Sequence, residues 1–172
     1  MDAINLLKTD HRQVDKLFEQ LENGDGNRER LFTELATELT VHAEIEEQLF
    51  YPAVKDAEPT RDLVLESYEE HKQMKLVLSD LARADKKTPE WKAGLKVLME
   101  DVQHHVGEEE KELFPKVSKL LSKPQLEELG TRMEALKVQQ LASVKRRQLL
   151  SHGPERGRAR FASAIRLAGE VS

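Results

Sequence analysis

The stretch HAEIEEQLFYP (residues 42–52) occurs a second time, with changes, as HVGEEEKELFP (residues 105–115). In each copy two glutamates follow the histidine by four and five residues, and a proline follows it by ten. Four residues make about one helical turn, so the histidine and the first glutamate lie on the same face of a helix. A neutral imidazole and a carboxylate one turn apart can chelate a transition metal ion. The repeat therefore predicts a site for two metal ions.

The composition restricts the chemistry of that site. The chain has 172 residues and no cysteine, which excludes disulfides, thiol nucleophiles, thiolate-bound iron–sulfur clusters and cysteine-type zinc sites. Nitrogen and oxygen ligands remain. No run of about 18 apolar residues predicts a transmembrane helix, and the N-terminal sequence lacks the pattern of a signal peptide. We expect a cytoplasmic protein that does not enter a membrane.

The spacing of apolar residues predicts an all-α fold. Apolar positions recur every three or four residues, and clusters of Gly, Asn and Pro interrupt them. The predicted helices cover about residues 2–22, 28–55, 60–84, 89–121 and 124–150. Short loops between long helices favour antiparallel neighbours. We therefore predict an up-down-up-down four-helix bundle over residues 1–122, an additional C-terminal helix over residues 123–150 and a basic, weakly ordered tail over residues 151–172.

The charge is distributed unevenly along the chain. Seven basic and two acidic residues follow position 144, whereas 20 basic and 30 acidic residues precede it. A basic segment can contact nucleic acid or an acidic membrane surface, but this one has no recognisable reading motif. We expect a solvated tail that can fold back onto the acidic body, and not a nucleic-acid-binding segment.

Each of the first four helices carries one histidine on its apolar stripe, namely His11, His42, His71 and His105. A buried, unpaired histidine is costly, so four of them on facing helices need a common partner. Helical bundles build metal sites from such inward-pointing side chains. With Glu46 and Glu109 as carboxylates that could bridge two ions, the predicted metal ligands are the six residues His11, His42, Glu46, His71, His105 and Glu109. Two iron ions suit this mixture best, and zinc or manganese fits less well.

Several neighbouring residues compete with these six. His104 also has a glutamate four residues on, but only His105 keeps proline at +10 and stays in phase with the apolar stripe. The carboxylates of Glu47, Glu108 and Glu110 are expected to be solvated or to support a ligand histidine. A carboxylate that holds the tautomer of a ligand histidine is expected in such a site, but the sequence does not identify which one does so.

The order His, His-x3-Glu, His, His-x3-Glu resembles that of the hemerythrin-like, or HHE cation-binding, domain over roughly residues 1–120. The resemblance implies a non-haem di-iron bundle whose relatives bind or sense O₂ or NO, handle peroxide or move iron. Oxygen-carrying hemerythrins have a second histidine one turn after the third-helix histidine, where this chain has Lys75. This departure argues against simple reversible O₂ carriage. Tyr68 could approach the open side as a phenolate, although packing in the core with its hydroxyl at the rim is favoured.

Four functions remain open at this point. The leading hypothesis is a di-iron protein that binds or senses O₂, NO or peroxide as a small ligand. The second is an enzyme that decomposes peroxide in the manner of a catalase. The third is iron storage, iron delivery or repair of iron centres. The fourth is a metal-free helical interaction module.

Overall fold

The computed structural model describes residues 1–24 and 26–151, with side chains described up to residue 147. All the secondary structure in this part of the chain is helical, as predicted. The elements are α1 (Ala3–Asn23), α2 (Arg28–Ile45), π1 (Glu46–Phe50), α3 (Tyr51–Val54), α4 (Arg61–Arg83), α5 (Pro89–Glu108), π2 (Glu109–Leu113), α6 (Phe114–Leu120) and α7 (Lys123–Ser151). The predicted tail, apart from Ser151, lies outside the described residues.

Local signals fix the ends of the bundle helices. The side chain of Asp2 accepts a hydrogen bond from the backbone N–H of Asn5 at the start of α1, at 2.9 Å, and α1 ends at Gly24 in the left-handed conformation, with φ 74°. Thr88 caps α5 in the same way, and Pro89 occupies the first turn. Helix α1 packs along α2, α4 packs along α5, and α2 contacts α4. The predicted four-helix bundle is confirmed.

Two π-helical segments interrupt what the sequence predicts as continuous helices. Each begins at the first glutamate of the repeated motif and ends just before the aromatic–proline pair. The backbone N–H of Tyr51 donates to the carbonyl of Glu46, five residues back, and Phe114 donates to Glu109 in the second copy. In an α-helix five residues turn through about 500°, so the fifth side chain would point about 140° away. The wider turn instead brings Glu46 and Tyr51 onto one face.

The apolar core consists of two clusters with a polar layer between them. One cluster includes Leu39, Met74 and Val102, and the other includes Leu7 and Ile45. Each of the four predicted histidines lies in the chain between a residue of one cluster and a residue of the other. The bundle therefore places its buried polar side chains in a single layer, enclosed by apolar packing at both ends.

Helix α7 packs against α1, α2 and π1. Leu129 and Met133 are buried in the second apolar cluster, and Gly130 lies so close to the start of α1 that a Cβ atom there would be 2.3 Å from the carbonyl oxygen of Met1. This close approach requires glycine. The predicted additional helix is thus a docked part of the bundle. None of the helices described here is long and apolar enough to cross a membrane.

Candidate metal centre

The structure brings all six predicted ligands together in the polar layer. They come from α1, α2, π1, α4, α5 and π2, and each is no more than 6% exposed. The ligand atoms of His11, His42, Glu46 and Glu109 lie within 4.8 Å of one another, and those of Glu46, His71 and His105 do the same. Two sets that share a carboxylate have the form expected of a two-metal site.

The four histidines form two pairs. The rings of His11 and His42 lie 4.9 Å apart, and those of His71 and His105 lie 4.8 Å apart, measured between ring centroids. Glu46 Oε2 lies between the pairs, 3.2 Å from His42 Nε2 and 3.3 Å from His71 Nε2. One carboxylate oxygen therefore faces one imidazole from each pair.

Glu109 occupies the equivalent position from the other side of the bundle. Its Oε2 is 3.3 Å from His11 Nε2 and 3.7 Å from His105 Nε2. Each glutamate thus contacts one histidine of each pair. This cross-wise arrangement is the geometry that would let both carboxylates bridge two ions, each held by one histidine pair.

The second ring nitrogen of each histidine faces a different carboxylate. The Nδ1–oxygen distances are 2.8 Å for His11–Glu110, 3.6 Å for His42–Asp10, 3.0 Å for His71–Glu47 and 2.6 Å for His105–Glu70. A carboxylate at Nδ1 favours the tautomer that carries its proton there and leaves Nε2 free to bind a metal. The sequence predicts such a group but does not identify it, because each of the four comes from a different helical element than its histidine.

Two of these carboxylates are in turn held by lysines. Lys75 Nζ lies 2.6 Å from Glu47 Oε1, and Lys137 Nζ, from α7, lies 2.6 Å from Asp10 Oδ1. The hydrogen bond from His71 lowers the pKa of Glu47 to about 2, against the opposing effect of burial and with further help from Lys75. Glu47 is therefore an anionic acceptor for the imidazole.

The charge balance of the layer favours bound cations. Burial raises the pKa of Glu46 well above its ordinary value, and the nearby Glu109 charge adds to this effect. Burial also opposes ionisation of Glu109, but the imidazoles of His105 and His11 hold its pKa well below the usual range. Burial lowers the pKa of His42 to about 4, which keeps this imidazole neutral. The carboxylates near His11 and His105 outweigh the effect of burial and raise the pKa of both imidazoles. A divalent ion takes deprotonated carboxylates and neutral imidazoles, so its charge would replace the protons held in this closed layer.

Six buried side-chain atoms have no hydrogen-bond partner among the described residues. Two of them are His42 Nδ1 and Asp10 Oδ2, which face each other at 3.6 Å. The other four belong to the predicted ligands and are His11 Nε2, His42 Nε2, Glu46 Oε1 and Glu109 Oε2. Each buried polar group left without a partner costs about 1–3 kcal/mol. Metal ions bound to these atoms would remove that cost. The residues present therefore fit a centre for two metal ions.

Tyr51 is a member of the site that the sequence analysis missed. Its hydroxyl oxygen lies 3.0 Å from Glu109 Oε1, 3.4 Å from Glu46 Oε2 and 3.4 Å from His71 Nε2. Burial raises the pKa of this phenol well above its ordinary value. The signal was in the alignment of the two motifs, where Tyr51 is matched by Phe114, which stacks on His11 instead. Among the described residues, a phenol therefore lies beside the pair His71 and His105, and a phenyl ring lies beside His11.

The competing residues lie outside the centre. His104 is 66% exposed and contacts Glu108 at 3.4 Å. Lys75 points to Glu47 and not to the buried histidines. The ring of Tyr68 packs on Tyr51, and its hydroxyl lies 3.4 Å from the backbone carbonyl of Glu47. Tyr68 thus packs beside the centre with its hydroxyl at the rim.

Comparisons with known proteins agree with this geometry. The family model "Hemerythrin HHE cation binding domain" matches residues 2–117. A DNA nickase from Nostoc sp. is 31% identical over 139 residues, which are 80% of this chain, and the match covers only 39% of the nickase. The uncharacterized protein Rv2633c of Mycobacterium tuberculosis is 29% identical over 145 residues, covering 82% of this chain and 88% of that protein.

A solved structure is also similar. It is the crystal structure of a hemerythrin HHE cation-binding domain-containing protein from Mycobacterium kansasii, a homolog of Rv2633c. The two structures superpose with a TM-score of 0.76 and 28% sequence identity, covering 90% of this chain and 95% of the other. The similarity extends beyond the four-helix bundle.

Proposed function

Because this chain belongs to the hemerythrin HHE cation-binding family, we propose that its buried layer holds two iron ions and binds O₂, NO or peroxide. The observation that carries the proposal is the cross-wise contact of Glu46 and Glu109 with the two histidine pairs. Such contacts suit carboxylates that bridge two ions. Family membership supports cation binding, and the donor set supports iron. Free coordination positions on a redox-active metal support a small ligand such as O₂, NO or peroxide.

The donor set favours iron over other metals. Imidazole nitrogens suit iron, zinc, copper and nickel, and carboxylates shift the preference towards iron and manganese. Four imidazoles and two shared carboxylates leave two ions short of about six ligands each. A small molecule can therefore bind in addition to the protein. Zinc would fill the same ligands with less room for chemistry, and manganese prefers a richer oxygen set.

Iron would supply redox chemistry, the donation of two electrons to a bound small molecule by a ferrous pair. The chain itself supplies the position and the proton. Tyr51 holds its phenolic proton at the centre and donates to Glu109 Oε1, while the apolar clusters on both sides exclude bulk water. Protection from water favours defined binding of a small neutral ligand.

Metal analysis of the full chain, together with its absorption spectrum, tests this proposal. Protein purified aerobically from iron-replete cells is expected to contain two irons per chain and a near-ultraviolet ligand-to-metal band. Glu46→Gln should lose iron, whereas Glu44→Gln, two residues earlier and outside the buried layer, should retain it. Metal-free wild-type protein from such cells would overturn the proposal.

Peroxide decomposition is a second candidate function, and the position of Tyr51 favours it. Conversion of two H₂O₂ into O₂ and two H₂O requires protons to move between the two peroxide molecules, and the Tyr51 hydroxyl lies within hydrogen-bond distance of Glu109. Oxygen evolution on addition of peroxide to the iron-loaded protein, abolished in His42→Ala and slowed in Tyr51→Phe, would support the enzyme. Stoichiometric binding without oxygen evolution would leave the binding function.

A further inference from the structure

A second group of metal-ligating side chains lies at the surface, next to the buried layer. It consists of Glu70 on α4 and of His104 and Glu108 on α5. One ligand atom from each of the three lies within 4.8 Å of the others, and His104 Nε2 is 3.4 Å from Glu108 Oε1. His104 and Glu108 are one helical turn apart, which is the chelating spacing of the buried pairs.

Glu70 connects this surface group to the buried centre. Its Oε2 lies 2.6 Å from Nδ1 of His105, a predicted ligand. A cavity of about 200 Å³ adjoins both, because its lining includes Glu70 and His104 on the outside and His71 and His105 on the inside. Two residues of the surface group, Glu70 and His104, therefore line the same open cavity as one half of the buried centre.

We propose that Glu70, His104 and Glu108 form a surface binding site for a divalent cation, from which the cation passes through the adjoining cavity to His71 and His105. The proposal rests on the proposed binding of metal in the buried layer. One imidazole and two carboxylates are suitable ligands for a divalent first-row metal ion. The exposed position of His104, at 66%, lets the ion exchange with solvent, as a transit site requires.

A surface site would help metal ions to reach the buried ligands. The six ligands of the layer are no more than 6% exposed, so a hydrated ion must lose water before it reaches them. Carboxylates at the mouth of a cleft raise the local concentration of cations and their rate of entry. An ordinary surface contact between a histidine and a glutamate contributes only a few tenths of a kcal/mol, and it would not require a third ligand from another helix beside the cavity.

Loading of the metal-free full chain with Co²⁺ tests the proposal. The visible absorption of bound Co²⁺ reports the rate of loading, and equilibrium dialysis reports the number of ions bound. At limiting Co²⁺, His104→Gln and Glu108→Gln are expected to slow loading by about tenfold, without lowering the final content of two tightly bound ions. Both variants should also lose a third, weaker ion that the wild type binds.

Glu100→Gln is the matched control, because it removes one exposed carboxylate of the same helix that does not line the cavity. It should load at the wild-type rate. Equal loading rates in all variants, or equal slowing in Glu100→Gln, would overturn the transit site. Wild-type protein that binds no Co²⁺ in the layer but keeps the exchangeable ion would instead overturn the proposed function.

Discussion

Replacement of His71 by leucine distinguishes the hypothesis of a metal centre from that of a metal-free helical module. His71 is buried at 2% exposure. Its Nδ1 lies 3.0 Å from Glu47, and its Nε2 lies 3.3 Å from Glu46 and 3.2 Å from His105 Nε2. Leucine has a similar size and no polar atoms, so the exchange removes one ligand and one buried hydrogen-bonding group at the same time.

The two states of the protein should respond in opposite ways. Without metal, the hydrogen bonds of the two ring nitrogens, with Glu47 and with His105, are lost at a cost of about 1 kcal/mol each. Burial of a leucine side chain returns about 1.5–3 kcal/mol. The metal-free variant should therefore be as stable as the wild type or more stable. With iron, a loss of about 100-fold in affinity removes about 2.7 kcal/mol of ligand-linked stability. At this chain length that corresponds to a decrease of roughly 5–10 °C in Tm.

Thermal unfolding of wild type and His71→Leu, each with iron and after removal of iron by a chelator, measures both effects. Lys72→Leu, an exposed neighbour on the same helix, is the control and should leave both Tm values nearly unchanged. A His71→Leu variant that keeps two irons per chain and the wild-type Tm would refute the assignment of His71 as a ligand. So would a wild type whose Tm does not respond to the chelator.

Three further predictions concern the groups around the ligands. Tyr51→Phe keeps the ring and removes the hydroxyl that donates to Glu109, so iron should stay bound while the near-ultraviolet ligand-to-metal band shifts. An unchanged spectrum would contradict a hydrogen bond from Tyr51 to a ligand of the centre. Lys137→Met removes the contact that holds Asp10 beside His42 and should lower iron affinity by about tenfold, whereas Lys137→Arg should restore it. Equal iron affinity in Lys137→Met and Lys137→Arg would contradict a positioning role. The pKa of Glu47 is lowered from 4.5 to about 2, so its contribution to the stability of the metal-free protein is present above pH 4.5 and is lost as the pH falls towards 2; the stability difference between wild type and Glu47→Gln, measured by urea unfolding, should shrink over that range.

The helices were predictable because their signals are local. Caps such as Asp2 and Thr88, the turn at Gly24 and the apolar spacing fix both ends of α1 and the start of α5 to within about one residue of the prediction. The π segments were not predicted. Pro52 and Pro115 indicate a kink or an end, but whether the backbone accommodates proline by ending or by widening the preceding turn depends on packing across the bundle.

The innermost residues of the site were also predictable, whereas their supports were not. Periodicity places each histidine on a buried face, and the duplicated motif selects His105 over His104. The contacts of Asp10 with His42 and of Glu70 with His105 join different helices, so no spacing in the chain encodes them. Tyr51 was missed because it reaches the centre only through the wider π turn, which the sequence does not predict.

The two halves of the centre are related by the repeated motif, but the surrounding structure makes them unequal. Helix α7 packs over α1 and α2, and its Lys137 contacts Asp10, the carboxylate beside His42. The half with His11 and His42 is therefore covered by α7. The cavity opens instead on His71 and His105, and the same half holds the hydroxyl of Tyr51. Since a small ligand needs both access and a free coordination position, we expect it to enter and react on the side of His71 and His105, while the half under α7 holds its ion in place.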